Sequence, residues 1–474
     1  MTQDVIVVLD CGATNVRAIA VDATGKIVAK SVLPNATQAA TENPAWHVWA
    51  LDEILGKLAH CCAVIRRDLD ASGHCIIGLT VTTFGVDGAL IDAHGTMVYP
   101  VISWKCPRTV SVMENIDRYF SANELQRITG VGDFSFNTIY KLIWLKENRP
   151  EVVDRATHWL FISSLITYHL TGALSTDRTM AGTSQLFDLA KDGFSEEILT
   201  RIGIPATFFP PLINPGEIVG RLQASAAQKM GLPTGLPVCS AGHDTQFAQF
   251  GSGAAMNQPV LSSGTWEILM ARTSQVDTGS LAAFRESTCE LDSASGFYNP
   301  GLQWLASGVL EWLRDICWKG VDSSEVYEQM IAEAAAVRPG CDGVMLVPEL
   351  LIGSNGVGGG ILSGLSIASS RGHLYRAALE ALSAKLACQL HELERICGFK
   401  ADQLILVGGG SRNRLWNQIK ADALQIPVRV VSENEITVLG AALYAFSGLG
   451  IYKSADDARA IVEYQYQTFE PSKL

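Results

Sequence analysis

The sequence lacks the features of several protein classes. It has no apolar run long enough to span a membrane, and its N-terminus lacks the basic and apolar regions of a signal peptide. Its 11 cysteines include no Cys-x-x-Cys pair, and neither they nor the nine histidines show the spacing of zinc ligands. We therefore expect a cytoplasmic protein with reduced thiols and no zinc site.

Positive charge is also scarce. Lys and Arg number 36 against 48 Asp and Glu, which gives a net charge of −12. This balance argues against nucleic acid or an anionic membrane as the main partner, so a small anionic ligand would need local cations and a metal. The 474 residues, 48% of them apolar, predict a globular protein of two domains.

Residues 5–22 form the most informative stretch. Two apolar runs flank a turn of small residues, which predicts strand, turn and strand. The first run ends in Asp10, a carboxylate placed to hold a divalent cation. The turn has small residues and a cation that suit a phosphate, namely Gly12, Thr14, Asn15 and Arg17. It is not a Walker loop, and the alternative is an ordinary buried hairpin with a glycine turn.

Two later turns have similar chemistry. Gly264 and Thr265 lie between apolar runs, and residues 404–413 form a strand followed by three glycines that lead into a helix. A helix N-terminus offers free N–H groups to a phosphate. Such turns in both halves suggest a nucleotide clamped between two related domains. The glycines of 353–360 favour a flexible turn instead.

Polar side chains follow a buried strand predicted over residues 75–83. Asp87 is a candidate substrate contact, with a turn-forming aspartate before glycine as an equal alternative. Trp104 could stack on a sugar while Lys105 meets its oxygens. A solvated helix start is the alternative for both Lys105 and Arg108, and it is the favoured interpretation for Arg108.

A strand-to-helix junction lies near mid-chain. Asp244 at this junction either faces a substrate or caps the helix, and the preceding His243 is more often structural in such a place. Residues 176–184 are predicted to form a polar loop, and residues 299–301 to lead into a helix through Trp304.

Two segments resemble the signatures of a known family. Residues 136–148 are similar to the first signature of the FGGY carbohydrate kinases, and residues 360–365 with 373–380 to the second. The resemblance implies a two-domain α/β fold of the actin/hexokinase/Hsp70-like (ribonuclease H-like) type, with the active site in the interdomain cleft. It assigns sugar and phosphate binding to residues 1–245 and nucleotide binding to residues 246–474.

The same resemblance assigns roles to the candidate residues. Asp244 would be the catalytic base, and Asp10 would support Mg²⁺. ATP would bind at the three turns, its phosphates at Gly12, Thr14, Asn15, Arg17, Gly264 and Thr265 and its adenosine beside Gly409 and Asn413. Sugar contacts are expected from Asp87, His243, Thr245 and Asn299, in addition to Trp104 and Lys105.

The implied reaction is transfer of the γ-phosphoryl group of ATP to the 1-hydroxyl of L-fuculose. L-Rhamnulose, L-xylulose and L-ribulose are alternatives, because sequence patterning does not resolve the stereochemistry of a sugar. A non-catalytic ATP-dependent switch on the same fold is the alternative from another class. The sequence leaves open whether the chain forms a homo-oligomer.

Overall fold

The computed structural model describes residues 3–284, 286–322, 325–351, 358–432 and 435–472. Two compact units are present, and each is discontinuous in sequence. The first contains Met1–Gly253, Thr278–Asn299 and Glu435–Glu463, and the second contains Ala254–Asp277, Pro300–Asn434 and Tyr464–Leu474. The boundaries of these units differ from the predicted domain ranges 1–245 and 246–474. Those ranges, and the position of the active site between the domains, stay predictions.

Up to residue 253, the chain forms both strands and helices. The strands are β1 (Asp4–Cys11), β2 (Asn15–Asp22), β3 (Ile27–Pro34), β4 (Gln38–Ala39), β5 (His47–Trp49), β6 (Cys75–Thr83), β7 (Gly88–Ile91), β8 (Val101–Ile102), β9 (His158–Phe161), β10 (Thr176–Asp177), β11 (Phe187–Asp188), β12 (Gly193–Phe194), β13 (Leu212–Ile213), β14 (Ile218–Arg221) and β15 (Pro237–His243). The helices are α1 (Leu51–Ser72), α2 (Val110–Glu114), α3 (Ala122–Thr129), α4 (Thr138–Asn148), α5 (Pro150–Arg155), α6 (Ile162–Thr171), α7 (Arg178–Ala181), α8 (Glu196–Ile202), α9 (Ala224–Met230) and α10 (Asp244–Gly251).

The rest of the chain has longer helices. Its strands are β16 (Pro259–Ser263), β17 (Trp266–Ala271), β18 (Ser287–Leu291), β19 (Tyr298–Leu305), β20 (Met345–Val347), β21 (Ile361–Ser363), β22 (Leu404–Val407), β23 (Val428–Val431) and β24 (Tyr466–Phe469). Its helices are α11 (Thr278–Leu281), α12 (Ser307–Cys317), α13 (Val326–Ala335), α14 (Arg371–Cys397), α15 (Arg414–Leu424), α16 (Ile436–Gly448) and α17 (Ala455–Ala460).

The first unit is built on a six-stranded sheet in the order β14-β15-β6-β1-β2-β3. Strands β1, β2 and β3 are antiparallel neighbours, whereas β1, β6 and β15 run parallel. Consecutive residues Val5–Cys11 of β1 are all buried, so helices must cover both faces of this central strand. Helix α1 packs on β2 and β3, and α16 packs on β1, β6 and β15. The predicted strands and the predicted helix over residues 51–69 are confirmed.

In the second unit, six strands follow one another in the order β19-β17-β16-β22-β23-β24. Strands β16 and β17 form the predicted hairpin, and β16, β22 and β23 run parallel. Helix α15 follows β22 and packs on β23 and α14. The strand, glycine turn and helix predicted over residues 404–424 are therefore confirmed.

Three expectations about local structure are wrong. Residues 176–184 form strand β10, helix α7 and a turn instead of a loop, and they are buried. The carboxylate of Asp177 tolerates burial because it accepts hydrogen bonds from Ser163, Ser164 and Ser240. Residues 299–301 belong to strand β19, and the next helix begins at Ser307.

Arg108 is the third correction. Its side chain is buried, with the guanidinium carbon 4.4 Å from the ring centroid of Trp46 and 5.0 Å from that of Trp144. Its Nη1 donates a hydrogen bond to the hydroxyl of Tyr99 at 3.1 Å. The sequence favoured a solvent-exposed Arg108. In the structure, its guanidinium is stabilised by contact with aromatic rings instead.

Two further expectations need comment. Residues 353–357 of the glycine turn predicted over 353–360 lie outside the described residues. Within the described part of the chain, no helix combines the length and the apolar character needed to cross a membrane.

Candidate active site

Three parallel strands of the first unit end side by side. In the register of the sheet, Asp10 of β1 and Gly242 of β15 both lie opposite Thr82 of β6. His243 and Asp244 follow Gly242 directly. Ligands of α/β proteins bind beyond the carboxyl ends of their strands, so this edge is the candidate site.

Asp10 is buried and forms an ion pair with Arg17, the residue opposite it on β2. Burial raises the pKa of the Asp10 carboxyl to about 6, against the attraction of Arg17, and the negative charge of Asp244 adds to the increase. Nη1 of the same guanidinium forms an ion pair with Glu435, which also forms an ion pair with Lys30. Sequence reasoning missed Glu435, because 418 residues separate it from Arg17.

The turn after Asp10 has a fixed backbone. The N–H of Gly12 donates to the carbonyl of Asn15 at 2.9 Å, and the N–H of Asn35 donates to the carbonyl of Thr14 at 2.7 Å. The side chain of Asn35 also donates to the carbonyl of Gly12 at 2.9 Å. Thr14 and Asn15 are exposed. The structure therefore brings Gly12, Thr14 and Asn15 together with Asp10 and Arg17, as expected.

Asp244 is the first residue of α10 and lies beside His243, the N-cap residue. It is therefore not the helix cap that one interpretation of the sequence favoured. Its side chain keeps 32% of its surface exposed, so a ligand can reach the carboxylate. Desolvation raises the pKa of Asp244, while the His243 charge and the hydrogen bonds of Thr245 oppose the increase. The hydroxyl of Thr245 donates to Asp244 Oδ1 at 3.3 Å.

His243 lies between two carboxylates. Its Nδ1 is 2.9 Å from Glu290 Oε2, an ion-pair contact outside the geometry of a hydrogen bond, and its Nε2 is 3.5 Å from Asp244 Oδ1. Burial alone would lower the pKa of His243, but the two carboxylates outweigh it and raise the pKa. Glu290 also accepts a hydrogen bond from Gln246 at 2.5 Å, and Gln246 accepts one from Asn299.

Asp87 is fully buried, as is its ion-pair partner Lys141. Asp87 Oδ2 also accepts hydrogen bonds from Trp49 Nε1 at 2.7 Å and from the N–H of Trp104 at 3.0 Å. The ammonium of Lys105 lies 5.3 Å from the ring centroid of Trp104 and 5.7 Å from that of Trp49. Asp87, Trp104 and Lys105 thus lie together, and their contact with a sugar stays a prediction. Sequence reasoning missed Lys141, although a lysine within an otherwise apolar part of α4 indicates a buried cation that needs a partner.

The second unit contains a cavity of about 450 Å³ beside two of the predicted turns. The cavity is lined by four of the residues predicted to bind the nucleotide, Gly264, Thr265, Gly409 and Asn413. Its other walls include Tyr375 and Trp416, and Asn413 accepts a hydrogen bond from the N–H of Trp416 at 3.1 Å as the cap of α15. Aromatic walls and glycine backbones suit a planar base linked to phosphates.

A buried ion pair lies beside these turns, and sequence reasoning missed it. Lys420 Nζ is 2.6 Å from Glu267 Oε1, and both side chains are fully buried. Glu267 also accepts hydrogen bonds from Ser263 at 2.9 Å and from Trp304 Nε1 at 3.2 Å. The pair therefore connects α15, β17 and β19 to the end of β16, where the Gly264 turn begins.

A divalent cation fits the first-unit edge. Among the described residues, no group of three or more His, Cys, Asp and Glu side chains could hold a metal by itself. Mg²⁺ needs no such group, since it keeps several waters and binds one or two carboxylates together with substrate phosphates. The buried carboxylate of Asp10, beside the 12–15 turn, is a ligand of this kind.

Comparison with known proteins covers both halves of the chain. The N-terminal domain of the FGGY family of carbohydrate kinases matches residues 5–251, and the C-terminal domain of that family matches residues 260–449. An L-fuculokinase of Escherichia coli K12 is 56% identical over 99% of this chain and 98% of its own, and an L-fuculokinase of Haemophilus influenzae is 44% identical over 97% and 98%. The crystal structure of xylulose kinase from Rhodospirillum rubrum has the same fold, with a TM-score of 0.89 over 99% of this chain and 94% of its own at 24% identity.

Proposed function

Because this chain belongs to the FGGY family of carbohydrate kinases, we propose that it transfers the γ-phosphoryl group of ATP to the 1-hydroxyl of L-fuculose. The product is L-fuculose 1-phosphate. The choice of sugar is supported by identities of 44–56% to L-fuculokinases over nearly the full chain.

The observation that carries the chemistry is the position of Asp244. Its accessible carboxylate lies at the carboxyl edge of the sheet, and its pKa is raised toward the range in which a general base works well. A primary hydroxyl is a poor nucleophile at neutral pH. In the proposed mechanism, Asp244 orients the 1-hydroxyl of the sugar and accepts its proton as the new O–P bond forms.

The neighbouring side chains would hold the sugar. His243 and Thr245 flank the base, and the ring of Trp104 with the ammonium of Lys105 offers a stacking surface and a donor. The buried Oδ1 of Asn299 has no hydrogen-bond partner among the described residues, which leaves an acceptor for a hydroxyl. The proposed role of Asp87 is to contact the sugar as well as to pair with Lys141.

The nucleotide would bind at the glycine turns. Gly264 and Thr265 hold phosphates, and Gly409 and Asn413 contact the adenosine in the cavity of the second unit. Gly12, Thr14, Asn15 and Arg17 would hold phosphates at the 12–15 turn, where Thr14 and Asn15 are exposed and Arg17 supplies a guanidinium. Asp10 would hold Mg²⁺, which neutralises phosphate charge when bound. The proposed division of roles remains sugar and phosphate for residues 1–245 and nucleotide for residues 246–474.

The test is sugar-dependent ADP release. The purified chain is assayed with Mg-ATP and L-fuculose, L-rhamnulose, L-xylulose or L-ribulose in turn, and without sugar. We expect kcat/KM to be highest for L-fuculose, because L-fuculokinases are 44–56% identical to this chain over nearly its full length. A higher kcat/KM for another ketose would reject L-fuculose as the preferred substrate but would still support a sugar kinase. ATP hydrolysis that is independent of sugar would favour the non-catalytic switch.

A further inference from the structure

A chain of polar groups leads to the base from a distant part of the sequence. Glu290 lies on β18, in the segment Thr278–Asn299 that belongs to the first unit. From there the contacts pass from Glu290 to His243 Nδ1 at 2.9 Å and from His243 Nε2 to Asp244 at 3.5 Å. Glu290 therefore touches the neighbour of the base and is itself outside every motif of the family resemblance.

Strand β18 is held firmly against the first unit. The N–H of Cys289 donates to the carbonyl of Gly130 at 2.7 Å, and the side chain of Gln126 donates to the hydroxyl of Ser287 at 2.8 Å. At Gly132, a Cβ atom would overlap the carbonyl of Ser287. Glu290 thus directly follows a segment of β18 whose position is fixed by these contacts.

The imidazole of His243 has little room to turn. A Cβ atom on Gly85 would lie 2.8 Å from His243 Nε2, so the backbone of Gly85 packs against the ring. The N–H of His243 donates to the hydroxyl of Thr179 at 3.0 Å, which fixes the backbone below it. Among the described residues, the ring interacts electrostatically with Glu290 and Asp244, and the charge of Asp244 also acts on Asp10. A carboxylate against each nitrogen favours the imidazolium, in which both nitrogens carry a proton.

We propose that Glu290 is a positioning residue for phosphoryl transfer: its carboxylate forms an ion pair with the imidazolium of His243 at Nδ1 and holds the ring with Nε2 directed at Asp244. This inference rests on the proposed function. A cation fixed beside Asp244 keeps that carboxylate ionised and oriented toward the sugar hydroxyl. Gln246, which donates to Glu290 at 2.5 Å, holds the glutamate in turn.

The experiment compares Glu290→Gln, Glu290→Asp and a control, Glu197→Gln. Glu197 is an exposed glutamate of the first unit that pairs with Arg201, so its substitution makes the same chemical change away from the site. Each variant is assayed for kcat and for the KM of ATP and of the preferred ketose. The imidazole ¹⁵N signals of His243 are recorded in parallel, assigned by their absence in His243→Asn.

We expect Glu290→Gln to lower kcat roughly 10-fold to 100-fold, the loss that is typical when the partner that orients a metal-bound histidine is changed. The KM for ATP should stay within about twofold, since the nucleotide cavity is untouched. The His243 signals should move toward a neutral ring. Glu290→Asp should recover part of kcat and of the signal, because it restores the charge, and Glu197→Gln should match the wild type.

Two results would overturn the inference. One is an unchanged kcat in Glu290→Gln, and the other is a loss of kcat with unchanged His243 signals, which would indicate a purely structural role. If the wild type phosphorylates no ketose, the proposed function fails. The NMR measurement then still tests the contact, and unchanged His243 signals in Glu290→Gln would reject the positioning role separately.

Discussion

We expect Asp244→Asn to lower kcat roughly 10²-fold to 10⁴-fold, the usual contribution of general acid–base catalysis, while ATP still binds. Asparagine has nearly the shape of aspartate, so it fits at the start of α10 beside His243 and Thr245. It accepts no proton at neutral pH, and the sugar hydroxyl therefore stays a poor nucleophile. The measurements are kcat by coupled ADP release and ATP affinity by calorimetry.

Asp68→Asn is the control for this prediction. Asp68 is an exposed aspartate on α1, so the same substitution there should leave kcat unchanged. Near-normal turnover in Asp244→Asn would reject Asp244 as the base. A loss of ATP binding equal to the loss of kcat would instead indicate damage to the nucleotide site.

The second large effect concerns stability. We expect Lys141→Met to lower the free energy of unfolding by about 3–5 kcal/mol, because it leaves the buried carboxylate of Asp87 without its cation. The hydrogen bonds from Trp49 and Trp104 remain, but they do not replace a positive charge beside a fully buried carboxylate. Denaturant unfolding followed by tryptophan fluorescence measures the change.

Two further variants make this prediction specific. Lys191→Met removes an ammonium that is 71% exposed and 3.4 Å from Asp188, so it should change stability by less than about 1 kcal/mol. The double variant Asp87→Asn with Lys141→Met should recover part of the loss, since neither charge then remains buried. Equal stability of Lys141→Met and Lys191→Met would contradict the account of the pair.

Local patterns predicted the elements that carry the site. Apolar runs that end in Asp10, in Thr83 and in His243 predicted three strands, and all three end at one edge of the sheet. Glycine turns next to such runs were recognised because small residues are needed where a backbone approaches a ligand. Four of the residues predicted to bind the nucleotide lie in such turns, and they line one cavity.

Contacts between distant segments could not be predicted in this way. Glu290 reaches His243 because residues 278–299 belong to the first unit, and no local pattern in the sequence indicates this return. Glu435 reaches Arg17 for a similar reason. The sequence predicted Asp87 to be a turn residue or a substrate contact and did not predict its ion pair. Its partner Lys141 lies 54 residues away, on a helix whose pattern predicts core packing.

Polarity also misled the prediction of burial. Residues 176–184 read as a loop, yet three serine hydroxyls satisfy the carboxylate of Asp177 inside the protein. Arg108 is buried between aromatic rings for a related reason, because the partners that permit burial come from other elements. Burial of a polar residue depends on those partners, which a single sequence does not show.

The most direct test of the central claim is the structure of the product. L-Fuculose is incubated with Mg-ATP and the wild-type chain, and phosphorus–proton and phosphorus–carbon couplings are measured by NMR. The account predicts one sugar phosphate, with coupling from phosphorus to the C1 methylene group and an equal amount of ADP. Phosphate on another carbon, or ADP formed without any sugar phosphate, would contradict it.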